Sequence, residues 1–473
     1  MKIEATTKDA YQLFHDGILA LARAERQGIR IDLQYCKRKK KHLDRKITYI
    51  HGKLQQTQLF RTWKKVYKEK TNIDSNPQLA YILYTILKKT PSKFTDTGKG
   101  STDEEALSQM KMPELDMILE IRKLRKIRDT YLGAFIREQH DGYIHPFFNL
   151  HTVRTFRSSS DKPNFQNIPK RDEEARKICR RALLPRPGHQ LIEMDFSGIE
   201  VAIAACYHKD PEMLKYIKDP KSDMHLDMAK QIFMFAHLDK KDPIHYLLRQ
   251  AAKNGFVFPQ FYGDYYGNNA VGLCEWVKLP QGKWKKGMGI ELPDGSHIAD
   301  HFISKGISEF GKVIKDRATG KIVELTGFLN HMRKVEDNFW NTRFKKYSEW
   351  KKYWHQQYLQ KGYLKMLTGF TCKGVMKKNE VINYPVQGAA FHCLLWSFIR
   401  LDEIMRKEKW DSKLIGQIHD SVIMDVHPDE LQHIKETIIR VTTKELPAAW
   451  KWIIVPLEVE IDEYKVDQPW IAS

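Results

Sequence analysis

The chain has 473 residues, with 79 Lys and Arg against 59 Asp and Glu, a formal charge of +20 and 42% hydrophobic residues. That length allows several domains with buried cores and excludes a disordered or collagen-like chain; six scattered cysteines, without C-x-x-C or zinc spacing, exclude a disulfide framework and read as reduced, buried thiols. No stretch approaches the roughly 20 uncharged apolar residues that cross a bilayer, and the first residues lack the apolar core of a secretion signal, so the sequence reads as cytoplasmic with no membrane partner.

Near the start, Leu13, Ala20, Leu21 and Ala24 fall at helical spacing until Gly28 interrupts them, which predicts a helix and a turn before Ile29-Arg30-Ile31-Asp32. The first seventy residues carry 18 Lys and Arg against 7 Asp and Glu, a surplus of 11 out of the net 20. So concentrated a surplus favours a polyanion partner. The run Lys37-Arg38-Lys39-Lys40-Lys41 is compatible both with a solvated helix face and with phosphate contact. Residues 114–139 are again helical in pattern, and Asp141-Gly142 marks a turn before a β-like segment at 143–148.

Residues 190–195 read as a strand ending on Asp195, followed by helix formers at 199–207. From Gly263 to Gly320 the chain reads as loops and hairpins, with turn signals at Asn268-Asn269 and Pro293-Asp294-Gly295. Between 339 and 358, Trp340, Phe344, Tyr347, Trp354 and Tyr358 form one helical stripe among lysines, which predicts a buried aromatic face with a basic outer face rather than a base-stacking surface. Two strands, 414–418 and 421–426, flank a polar tip at His419-Asp420. Asp195 and Asp420 therefore both stand at strand ends. A lone aspartate there is usually a turn residue, but two such carboxylates on rigid elements suit phosphoryl transfer by paired Mg²⁺ ions.

Asp195-Phe196-Ser197-Gly198-Ile199-Glu200 resembles motif A of the family A DNA polymerases, the bacterial polymerase I type that phages also carry. Arg249-Gln250-Ala251-Ala252-Lys253, with Phe258 and Tyr262-Gly263, resembles motif B, and Gln417-Ile418-His419-Asp420 resembles motif C. Arg157-Ser158-Ser159-Ser160-Asp161 with Pro163-Asn164-Phe165-Gln166-Asn167-Ile168-Pro169 is similar to the family's template-primer motif. Asn383-Tyr384-Pro385-Val386-Gln387-Gly388 and Val455-Pro456-Leu457-Glu458-Val459-Glu460 are also similar to family segments. Each is weak alone; six in the family's order are specific. The resemblance runs from about Leu19 to Trp470, with 264–335 unmatched.

The resemblance implies a mixed α+β right-hand fold: a thumb with a palm-linking segment at 1–135, a palm with an antiparallel sheet at 136–220 and 372–473, and fingers at 221–371 that include the unmatched insertion. It implies a template-directed DNA polymerase that adds deoxynucleotides to a primer 3′-hydroxyl and releases pyrophosphate. Carried over by position, Asp195, Asp420 and the Phe196 carbonyl would hold two Mg²⁺ ions, with Mn²⁺ able to substitute. Lys253, Arg249 and His225 would hold the triphosphate, Lys253 doubling as an acid for pyrophosphate. Phe258 and Tyr262 would bind the nucleotide, and Glu200 falls where the family places its gate against a ribose 2′-hydroxyl. Arg157, Gln166, Asn167, Asn383, Gln387 and His419 would meet primer-template DNA.

Gly198 replaces a usual Gln, and Ser421 replaces the usual Glu after the motif C aspartate. Lys253 and Phe258 stand five apart rather than four, with Pro259 next; the extra residue turns everything beyond it by about 100° unless a bulge absorbs it, leaving Asn254 and Phe256 as rivals in register. Only about twenty residues precede the thumb-like segment, so no proofreading nuclease is expected in this chain; a separate exonuclease or a processivity subunit is a candidate partner. Two alternatives stay open: a single-subunit RNA polymerase, against which Glu200 argues, and a nucleic-acid-binding subunit whose catalysis has decayed, which Ser421 and the disturbed motif B suggest.

Overall fold

The computed structural model describes residues 5–95, 97–169, 172–219, 221–315, 322–418 and 420–471. At its centre is a four-stranded antiparallel sheet of β1 (Gln190–Phe196), β2 (Lys413–Ile418), β3 (Ser421–Val426) and β4 (Val459–Glu463), in the spatial order β2-β3-β1-β4. Every residue of β1 except Asp195 is buried, as befits an inner strand with both edges paired. The buried Glu193 of β1 is matched by Arg180 at 2.9 Å, whose guanidinium lies 3.9 Å from the Trp470 ring centre.

Helices surround this sheet. Helix α1 (Thr7–Gln27) starts with a capping box between Thr6 and Asp9 and buries Leu13, Ala20, Leu21 and Ala24, the predicted stripe. It continues as Ile29–Ile31, a short strand held between Tyr143–Ile144 and Leu183–Leu184. Helix α2 (Leu33–Gln55) buries Cys36, Leu43, Ile47 and Leu54 and leaves Lys37, Arg38, Lys41 and Arg45 exposed. Its contact with α3 (Pro113–Arg125) includes Lys46 to Glu120 at 2.7 Å. After β1 come α4 (Ile199–His208), α5 (Met224–Phe233) and α6 (Pro243–Ala252).

The stretch expected as loops holds a further helix, α7 (Tyr266–Trp276), which contains both Asn268 and Asn269. The turn expectation there is corrected by Asp264: its carboxylate accepts the amides of Asn268 at 2.7 Å and Asn269 at 3.1 Å, and Asn269 in turn accepts Gln260 at 2.7 Å. With their polar groups met outside the backbone, the asparagines no longer compete with the helix. The Pro293-Asp294-Gly295 turn is present, closed by Gly295 N–H to Leu292 carbonyl at 2.9 Å, and a hairpin pairs Val313–Lys315 with Ile322–Leu325.

Helix α8 (Gly327–Asn338) passes through an irregular turn at Phe339–Arg343 into α9 (Lys345–Lys361). Of the aromatic stripe, Phe344, Tyr347 and Tyr358 are buried, while Trp340 and Trp354 are partly so. The longest helix, α10 (Lys378–Glu408), carries Pro385 within it and packs on α1, α4 and α9. Gly17 lies at the α1–α10 crossing, where a Cβ would stand 2.9 Å from Leu395, and Arg23 grips Asp402 with two nitrogens at 2.6 and 2.9 Å. All six cysteines are free and buried. Among the described residues no helix is long and apolar enough to cross a membrane.

Candidate active site

The pairing of β1 fixes the acidic end of the sheet. Asp195 stands opposite Ser421 on one edge and opposite Glu460 on the other, and the Phe196 N–H donates to the Asp420 carbonyl at 3.3 Å. Asp195 and Asp420, 225 positions apart, are thereby brought to the same end of neighbouring strands, as the sequence predicts. Directly opposed residues share a face. Ser421, where a carboxylate was expected, is fully buried, while Glu460 accepts the Ser197 hydroxyl at 3.0 Å. Glu460 is a neighbour of the site that the sequence signalled only as part of a C-terminal motif.

Among the described residues no group of three or more His, Cys, Asp or Glu is arranged to hold a metal ion. Two aspartates and backbone carbonyls are what remains. This donor set fits Mg²⁺, which keeps several waters and is bound through one or two carboxylates together with substrate phosphates.

Asp420 and Phe196 line a cavity of about 500 Å³ whose far side is formed by Phe258, Phe261 and Tyr262. These come from the continuation of α6. Lys253–Val257 form a single wide turn in which the Phe258 N–H reaches back five residues to the Lys253 carbonyl, and regular helix resumes at Phe258–Phe261. One extra residue is absorbed there. A wide turn also suits Pro259, whose ring would press on the carbonyl four residues earlier in a regular helix.

The turn therefore leaves Lys253 and Phe258 on one face, with the Lys253 amine 5.3 Å from the Phe258 ring centre. The His225 ring lies 5.7 Å from the same ring, and Arg249 donates to Asp223 at 2.8 Å. Of the rivals in register, Phe256 is buried against Phe339 and Asn254 faces solvent away from the core. Burial, then the nearby Arg249 and Lys253 charges, push the His225 imidazole down to about 4, so it is neutral at pH 7. Its Nδ1 is buried and has no protein partner. Burial opposes ionisation of Asp223, yet the Arg249 hydrogen bond and the Leu226 N–H hold it below the usual carboxylate range.

Across the cavity, Glu200 at the start of α4 is held from two sides. Arg157 donates to one carboxylate oxygen, and the Tyr262 hydroxyl donates to the other at 2.6 Å. Burial first and Glu200 second push the Tyr262 phenol well up, so it remains a donor. Arg157 also reaches the Gln387 carbonyl at 3.3 Å. Gly388 makes that approach possible: a Cβ there would stand 2.3 Å from the Thr155 carbonyl. Asn383 and Gln387, one turn apart on α10, both line the cavity.

Gln166, which the resemblance assigns to primer-template DNA, is buried and lines, with Asn167, the cavity under α3. Its amide donates to Ser158 at 2.8 Å and Gln417 at 2.6 Å, and Ser158 also donates to Gln417 at 2.7 Å. These three residues come from two distant segments and tie the template-primer motif to β2, a network no local pattern signals. Asn167 is exposed, away from the 500 Å³ cavity and beside a larger one under α3. His419 lies outside the described residues.

A sequence profile described as DNA polymerase family A matches residues 38–292 and 296–468, which includes all but three residues of the 264–335 stretch left without a counterpart by the motifs. DNA polymerase I of Lactococcus lactis subsp. cremoris is 29% identical over 401 residues, covering 83% of this chain and 39% of that protein. DNA polymerase I of Aquifex aeolicus is 30% identical over 393 residues, covering 82% of this chain and 56% of that protein. This chain thus spans between two fifths and just over half of the length of these relatives. Among solved structures, the POL domain of Pol1 from M. smegmatis, in complex with DNA primer-template and dNTP, superposes with a TM-score of 0.71 at 21% identity, covering 96% of this chain and 69% of that one. The shared fold is the right-hand polymerase fold.

Proposed function

The chain belongs to DNA polymerase family A, and from that premise we propose that it is a template-directed DNA polymerase extending a primer 3′-hydroxyl with deoxynucleoside triphosphates. The observation that carries this reading is the wide turn after Ala252: it supports Lys253 and Phe258 acting together on a nucleotide in the cavity that Asp420 closes from the other side. In this reading residues 1–135 serve as thumb, 136–220 with 372–473 as palm, and 221–371 as fingers.

Asp195, Asp420 and the Phe196 carbonyl would hold two Mg²⁺ ions. Bound there, the ions supply Lewis-acid activation of the attacking hydroxyl and neutralise charge on the triphosphate. Arg249, Lys253 and the neutral His225 would orient the triphosphate, and Lys253 would give a proton to the departing pyrophosphate oxygen. Phe258 and Tyr262 pack on the base and sugar. Glu200, clamped between Arg157 and Tyr262, stands as a wall against a ribose 2′-hydroxyl; a held carboxylate cannot swing aside. Arg157, Gln387 and His419 would probe the minor groove at the primer end, where acceptors common to all base pairs report geometry and not sequence. Asn167 and Asn383 would contact primer-template DNA, with Gln166 acting through Ser158 and Gln417.

The test is extension of a labelled DNA primer on a DNA template with Mg²⁺, comparing deoxynucleotides with ribonucleotides and wild type with Asp420→Ala. Deoxynucleotide-dependent extension lost in the variant is expected. Primer-template binding with no extension by the wild type would overturn the proposal.

A further inference from the structure

Helix α9 separates two environments. Tyr347 lines the cavity above Asp420, and Ser348, Lys351 and Lys352 line a smaller one beside Tyr262 and Asn383. The opposite face of the helix opens on a groove of about 930 Å³ bounded by residues 5–8, the end of α4 and the hairpin of Tyr363–Lys365 with Thr371–Lys373. Nothing in the proposed reaction uses it.

The groove's chemistry is specific. Trp350, Tyr353, Trp354 and Tyr363 contribute aromatic surface, with Tyr353 56% and Tyr363 38% exposed. The Trp350 and Trp354 rings stack at 5.4 Å, and the Trp354 indole N–H is already given to the Val381 carbonyl at 3.2 Å. Four lysines, Lys8, Lys209, Lys361 and Lys365, are exposed along it, and no acidic residue lines it among those described. None of the four makes an ion pair with a described residue, whereas Lys46, Lys93 and Lys123 elsewhere do. Unpaired cations beside open aromatic rings suit a chain that carries one negative charge per unit and presents flat, unstacked bases. This is the chemistry of a single-strand binding track, indifferent to sequence.

We propose that this groove binds single-stranded DNA, and that its occupant is the uncopied 5′ extension of the template. The proposal rests on the polymerase reading for its choice of strand: a template anchored at the cleft supplies its own extension at high effective concentration, which a free strand does not. Duplex DNA is disfavoured because its bases are already stacked.

Binding is measured by fluorescence anisotropy without nucleotides, on primer-templates whose 5′ overhang is either too short to leave the cleft or about twenty nucleotides long. The proteins are wild type, the triple variant Tyr353→Ala with Lys361→Ala and Lys365→Ala, and the double variant Lys361→Glu with Lys365→Glu. All three positions are exposed, so the fold should be retained, and extension on the short-overhang substrate serves as the control. Wild type should bind the long overhang about tenfold more tightly than the short one, and both variants should lose that difference. The slope of log affinity against log salt should become shallower by about 0.7 for each lysine neutralised.

Equal binding of short and long overhangs by wild type, or an overhang preference unchanged in both variants, overturns the groove assignment and leaves an acidic polypeptide as the better occupant. A preference seen only with a displaced flap on the non-template strand overturns the choice of strand. Failure of the polymerase reading is read separately, as absence of extension on either substrate by wild type.

Discussion

The two walls of the cavity are built on different principles. One wall is a sheet end, where backbone pairing on both edges of β1 brings Phe196 and Asp420 to the cavity with Asp195 next to them in the sheet. The opposite wall is one helix that departs from regularity at Lys253–Val257 and recovers at Phe258. A strand absorbs an added residue only through a bulge, as β2 does between Leu414 and Gly416; in β1, paired on both edges without interruption, a shift by one would send every later side chain to the other face. A helix absorbs it more readily, because one wide turn adds the residue and hands the next turn back in phase. The departure from the family's spacing is found in the wall able to tolerate it.

This contrast can be broken most severely at the sheet. Asp195→Ala should lower the extension rate at least about 100-fold while primer-template affinity stays near wild type, measured by single-turnover extension beside anisotropy. At the helix, an alanine inserted between Asn254 and Gly255 should turn Phe258 about 100° from Lys253 and raise the deoxynucleotide KM about tenfold or more. Deleting Asn254 sharpens the comparison, because it restores the four-residue spacing at which two side chains again share a face. Nucleotide selection should survive the deletion, but Pro259 would then sit inside a regular helix at a cost of about 3 kcal/mol, readable as a lower denaturant midpoint.

A smaller effect is expected at Glu200, which bridges the walls. Glu200→Ala should raise ribonucleotide relative to deoxynucleotide incorporation by about tenfold or more, measured as the ratio of kcat/KM values. Equal ratios would remove Glu200 from sugar selection.

The mildest perturbation is acid. Burial pushes His208 and His392 down to about 3 and His225 to about 4, so all three are neutral in the fold. In His392 burial outweighs the Nε2–H bond to the Phe156 carbonyl at 3.1 Å, which by itself would favour the charged ring, and Nδ1 is left to accept from the Thr368 hydroxyl at 2.7 Å. The unfolded chain takes up these protons near pH 6.5 and the fold does not, so stability is full above pH 6.5 and declines as pH falls towards these depressed values. Each histidine should cost about 2 kcal/mol between pH 6.5 and pH 5, seen as a falling Tm.

What could be read from the sequence follows the same division. Strands β1 and β3 and the tip bearing Asp420 were legible because short, largely apolar runs broken by a polar tip fit strands, and the resemblance to motifs A and C then singled out the two aspartates. Helix α7 was not, since Asn268-Asn269 signals a turn until Asp264 is known to satisfy both amides. The wide turn left only an ambiguity of register, which Phe256 resolves by being buried against Phe339. The Ser158–Gln166–Gln417 network and the clamp on Glu200 join residues far apart in the chain, and no window of sequence contains them.

The pairing of β1 also has a consequence for synthesis on the ribosome. Both neighbours of this strand, β3 and β4, lie more than two hundred residues downstream. At ordinary translation speeds the nascent chain therefore carries β1 for about 10–50 s before its edges can be filled. During that interval a seven-residue strand, four of whose residues are apolar, is open to pairing with other chains, whereas α2 and its basic surface can already pack on α3. Yield should therefore depend more on expression temperature and chaperone supply than on the stability of the finished protein.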